Sequence, residues 1–110
     1  MESVPPSVGV KRLDADVRQI LRKHDTNRLP AKQRSQIADL QQNFIDARMY
    51  TQAYELSETR EEQLGNAKEA KKWLTKAKRC ILSLSEQDVF GAVDVAQLSA
   101  QLEQVTDQLK

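Results

Sequence analysis

Apolar positions recur at helical spacing along almost the whole chain. Val10, Leu13, Val17, Ile20 and Leu21 step by three and four, the spacing of one helix face. Asp14 and Asp16 fall in the early turns and Arg22 and Lys23 at the end, the signs that a helix dipole favours. The pattern predicts a first helix over about residues 11–24, with Asp25, Thr26 and Asn27 as a stop and turn. Residues 1–9 contain Pro5, Pro6 and Gly9 and little to bury. They read as a flexible N-terminal tail ahead of a single helical domain over 10–110.

Pro30 suits the first turn of a second helix, where its missing N–H is not needed. Ile37, Leu40, Phe44, Ile45, Met49, Ala53 and Leu56 form its apolar stripe, which fades into the wholly polar residues 57–63. The packed helix is expected to end near Leu56, with a break near residues 48–51 as the alternative. Gly65-Asn66 is the clearest interior punctuation. Beyond it Ala67, Ala70, Leu74, Ala77, Ile81 and Leu84 mark a helix over about 67–84, flanked by Trp73 and Cys80. Its alanines would admit a close neighbour. Ser85 and the residues after it look like a fresh N-terminus, and Asp94 offers a second capping point. Val95, Leu98, Leu102, Val105 and Leu109 then keep a 4-3 spacing for about two heptads. No strand-like alternation competes. The fold class is all-α: a small bundle of about four helices arranged as helical hairpins, with a coiled-coil-like C-terminal helix.

Gly65, Ala70, Leu74 and Ala77 have a spacing similar to the second helix of a tetratricopeptide repeat. The resemblance covers part of one repeat. It implies a helical hairpin and hints at a peptide-binding surface, without assigning a family.

Charge adds a second pattern. Residues 11–34 hold eight Lys/Arg against three Asp, and residues 35–63 two Arg against six acids. Residues 64–80 hold six Lys/Arg against Glu69, and residues 81–110 only Lys110 against five acids. The net charge of +1 hides this asymmetry. Opposite-sign helices packed side by side would complement one another, and a hairpin turning at Gly65 would bring Glu55, Glu58, Glu61 and Glu62 near the lysines that follow. The apolar fraction is 39%, with only five aromatic residues. So lean a core makes a homodimer, or a partner covering one face, an attractive way to bury more surface.

Chemistry-bearing motifs are sparse. Cys80 is the single cysteine and His24 the single histidine, too few for a zinc site or an internal disulfide. There is no Gly-rich phosphate loop and no Glu-x-x-His pair for a di-iron bundle. The expectation is no enzyme, no metal or other cofactor, and no small-molecule substrate. With no apolar run of membrane-spanning length and no secretory signal pattern at residues 1–10, a cytoplasmic protein is expected. Residues 84–89 resemble the opening of a helix-turn-helix and residues 90–93 could supply its turn, but the helix that starts near Asp94 is acidic and would repel phosphates.

Two functions remain. The first is a helical protein-protein interaction module, such as an adaptor, assembly subunit, chaperone-like partner or inhibitor. Its contact residues would be Trp73, Leu74, Leu98, Leu102, Val105 and Leu109, with residues 94–110 as the partner or dimer seam. The second is a nucleic-acid-associated protein. Lys68, Lys72, Lys76 and Arg79 share one surface of the helix over 67–80 and suit a polyanion.

Overall fold

Four helices carry most of the chain: α1 (Pro6–Leu21), α2 (Ala31–Glu55), α3 (Arg60–Glu86) and α4 (Ala92–Gln108). A short 3-10 turn, Thr26–Arg28, joins α1 to α2. The computed structural model describes residues 4–87 and 89–109. α1 packs on α2 and α4, and α3 packs on the same two, so the helices close a ring in which neighbours run antiparallel. The all-α bundle read from the sequence is the observed architecture.

The α2–α3 hairpin is the most extensive contact. Three side-chain hydrogen bonds fix its register along the full length. Gln36 Nε2 donates to Ser83 Oγ at 2.9 Å, Asn43 Nδ2 to Cys80 Sγ at 3.6 Å, and Asn66 Nδ2 to Ser57 Oγ at 3.0 Å. The buried stripe of α3 is Ala67, Ala70, Leu74, Ala77, Ile81 and Leu84, as its spacing predicts.

Helix starts differ from the sequence reading in three places. α1 begins at Pro6, inside the span read as a flexible tail. Pro5 is the cap and Pro6 the first helical residue, where its fixed φ helps and its missing N–H costs nothing. The Pro5 carbonyl accepts from Val8 N at 3.0 Å and Gly9 N at 3.2 Å. The hairpin turns at residues 56–59, not at Gly65-Asn66, which lie inside α3. Thr59 caps α3, its Oγ1 accepting from Glu62 N at 3.1 Å, while Glu62 Oε2 accepts from Glu58 N at 3.4 Å. The Thr59 cap, with the Glu62 carboxylate reaching back to the residue before it, starts a helix that a single glycine six residues later only weakens. Likewise α3 runs on through Ser85 and Glu86, and α4 starts after Gly91, whose N–H donates to Asp94 Oδ2 at 3.4 Å. Asp88 lies outside the described residues.

The α2 stripe is also redrawn. Ile37, Leu40, Asn43, Phe44, Ala47 and Thr51 are buried, whereas Ile45, Met49 and Leu56 face solvent. Apolar residues on two sides of one helix blur its direction, and the predicted stripe crosses from one side to the other. α2 shows no break near residues 48–51.

Among the described residues the core is one cluster of twenty buried apolar residues, with members from all four helices. It includes Val89 and Phe90 from the α3–α4 connection, which plug one end of the bundle and which periodicity could not reveal.

Two glycines test this packing with opposite signs. A Cβ at Gly9 would lie 2.6 Å from Val105 Cγ2, so α1 crosses α4 closely there. A Cβ at Gly65 would meet nothing within 4 Å. Gly9→Ala is expected to destabilise by about 1 kcal/mol or more, overpacking outweighing helix propensity. Gly65→Ala should stabilise by about 0.5–1 kcal/mol. Urea denaturation of both variants checks the pair.

Candidate interaction surfaces

The C-terminal stripe is consumed inside the fold. Leu98 is 1% exposed, Leu102 and Val105 3% each, and Leu109 0%. Their 4-3 spacing seats α4 in the groove between α1 and α3. Gln101 Nε2 donates to Asp16 Oδ2 at 3.0 Å and Gln108 Nε2 to the Val4 carbonyl at 2.6 Å, tying α4 to α1 and to the residues before it. Leu74 is buried as well, on the inward stripe of α3. These five residues therefore form no open seam, which corrects their assignment as partner contacts. Spacing shows that a face is buried, not what buries it.

Trp73 is half-buried against the core. Its ring carries two ammonium groups, Lys76 Nζ at 4.4 Å and Lys72 Nζ at 5.2 Å from the centroid. Its indole N–H is shielded and meets no acceptor among the described residues. The indole thus works as a platform for the lysines of its own helix, each such contact worth about 0.5–1 kcal/mol at an exposed site. The groove beside it has an acidic wall from α2, Asp39 and Asp46, and a basic wall from α3, Lys76 and Arg79. Cys80 sits in the same groove. Burial first, and then the Asp39 charge, push its thiol above its ordinary range, so it is a poor nucleophile near neutrality.

Lys68, Lys72, Lys76 and Arg79 all remain exposed on α3. The acids expected to neutralise them do not. With the hairpin turn at 56–59, Glu61 and Glu62 belong to the first turn of α3 itself, about 20 Å along the axis from Lys76. The ion pairs within 4 Å among the described residues are Arg18–Asp14, Arg28–Asp25 and Lys72–Glu69, each between residues three or four apart. None crosses between helices. Complementarity between helices survives only as a field: α3 has seven Lys/Arg against four Glu, while its neighbour α4 has three acids and no base.

A further surface, on α2, was hidden in the sequence by the mixed stripe. Ile45 is 55% exposed, Met49 52% and Leu56 80%. At about 100° per residue, positions 45, 49, 52 and 56 lie on one line of the helix. Ile45 and Met49 form one wall of a groove between α1 and α2, lined also by Val10, Lys11, Asp14 and Arg48. The signal was available: Ile45 follows Phe44 directly, and adjacent residues sit about 100° apart, so both cannot point to the centre of one buried stripe.

No helix among the described residues is long and apolar enough to cross a membrane. No group of three or more His, Cys, Asp or Glu among them could hold a metal ion. Comparison with protein-family models, with curated proteins and with solved structures finds no match.

Burial makes a sharp forecast for the C-terminal helix. Leu98→Asp should unfold the chain or cost about 4 kcal/mol or more, because it places an unpaired carboxylate in the core. Circular dichroism melting decides it. A folded variant with near-normal stability would reopen residues 94–110 as a surface.

Proposed function

We propose that this chain is a helical protein-interaction module whose docking face is the outer stripe of α2 beside α1. One observation carries the reading. A chain lean in apolar residues buries twenty of those described in a single core, yet leaves Ile45 and Met49 half-exposed, one turn apart, on the wall of a groove. A neighbouring pair in a concave setting differs from the scattered exposed apolar residues that any surface carries. The mechanism is burial of this pair against a partner's apolar residues, with the surrounding charges setting orientation and on-rate more than affinity.

A second reading keeps specific support. The cations Lys68, Lys72, Lys76 and Arg79 are exposed, and only Lys72 has a carboxylate within 4 Å among the described residues. That leaves the stripe available to a polyanion, with binding that would fall steeply with salt.

One experiment separates the two. The full chain, an Ile45→Glu/Met49→Glu variant and a Lys68→Glu/Lys72→Glu/Lys76→Glu variant are used as bait in cell lysate, with and without nuclease. The α2 variant should melt within about 3 °C of the parent, since its positions are exposed. It should lose a nuclease-resistant protein that the lysine variant retains. Loss only in the lysine variant, together with nuclease sensitivity, would make the polyanion reading the right one.

A further inference from the structure

We infer that the occupant of the α1–α2 groove is an acidic amphipathic helix of another protein. The inference rests on the docking face proposed above and adds the chemistry of what fills it.

The charges around the apolar pair are unequal. Lys11 of α1 and Arg48 of α2 line the groove, both exposed, and neither has a carboxylate within 4 Å among the described residues. The one acid in the lining, Asp14, is already engaged by Arg18 at 3.2 Å. Two cations with no carboxylate within 4 Å among the described residues therefore lie on the α1 side of Ile45 and Met49. A partner that presents carboxylates along the α1 side of its apolar anchors gains attraction from both cations, whereas a partner basic on that side is repelled.

The shape selects a helix. From Ile45 to Leu56 the stripe spans about 16 Å, roughly three helical turns. The groove walls are helix side chains and offer no sheet edge, so an extended peptide would leave its own N–H and C=O groups unpaired. A helix satisfies those groups internally. Its residues at i, i+4 and i+7 could meet Ile45, Met49 and the exposed wall beyond.

A second copy is disfavoured by the same charges. A two-fold contact centred on this patch sets each patch against its own image. Where the axis crosses the basic side of the groove, Lys11 and Arg48 meet the same residues of the other copy, like against like. The basic side of the groove suits an anionic helix better than it suits its own image.

The test titrates the isotope-labelled full chain with two synthetic peptides of roughly 18 residues, long enough to hold a helix when bound. Both carry leucine at i, i+4, i+7 and i+11. One has glutamate at the flanking positions and the other lysine. Expected are shifts of backbone amides in residues 11–14 and 45–56, with the glutamate peptide about tenfold tighter at low salt. Arg48→Glu should remove or invert that preference, and Met49→Glu should abolish binding of both peptides. Equal affinities, or a preference for lysine, would overturn the acidic partner while leaving the docking face intact. No shift at residues 45–56 with either peptide would overturn the docking face too. Sedimentation of the unliganded chain covers the remaining occupant: a dimer abolished by Met49→Glu overturns the inference in favour of a second copy.

Discussion

The close antiparallel contact of α2 and α3 is the constraint on which the rest of the fold depends. Ala47 and Thr51 on α2, and Ala67, Ala70 and Ala77 on α3, are all buried, and side chains this short let two helix axes approach. The hairpin is held in register at three levels, from Gln36–Ser83 at one end to Ser57–Asn66 at the other. Small residues bury little area each, so the hairpin cannot be stable by itself. Its larger apolar residues, Phe44, Leu74, Ile81 and Leu84, need cover from elsewhere. α1 and α4 supply that cover, and Val89 and Phe90 close the end. The lean composition thus dictates a closed ring in which every helix with a clean apolar stripe spends it inward.

Electrostatics follows from that ring and does not drive it. Where opposite charge meets across helices, it does so without a single ion pair under 4 Å among the described residues. The attraction between basic α3 and acidic α4 acts at helix-to-helix distances of about 8–10 Å, comparable with the screening length at physiological salt. A field of that range biases which helices become neighbours and contributes little to stability. It also leaves the outer cations of α3 uncommitted. Two of them, Lys72 and Lys76, lie over the Trp73 ring. Charge blocks along a sequence therefore foretell complementary neighbours more reliably than they foretell contacts.

The pattern was legible wherever a helix has one apolar side. α1, α3 and α4 each show it, and their buried residues are the ones their spacing picks out. α2 defeats the method because Ile45, Met49 and Leu56 form a second apolar line beside the inward one. Boundaries failed for a different reason. Pro5, Pro6, Gly9 and Gly65 were read as helix breakers, but proline belongs at a first helical position, and one glycine costs a helix only about 1 kcal/mol. The Thr59 cap, three residues before Glu62, is legible in the sequence and outweighs Gly65. The C-terminal stripe illustrates a limit of principle. A 4-3 repeat reports that a face is buried, and the same repeat serves an internal neighbour or a foreign one.

The residues that broke the α2 pattern are then the informative ones. Consistency between local pattern and global fold is what a foldable sequence maximises, and departures tend to mark function. Moving Ile45 and Met49 to polar residues would sharpen the amphipathicity of α2 and cost the core nothing, because neither is in it. An exposed apolar pair in a groove also invites self-association. Lys11 and Arg48 oppose the contact in which the basic sides of two copies meet. On the proposed reading the same two cations would favour a negatively charged partner. Apolar anchors would then supply the affinity and the neighbouring cations would bias which helix is admitted, so one arrangement of residues would serve both attraction and selectivity.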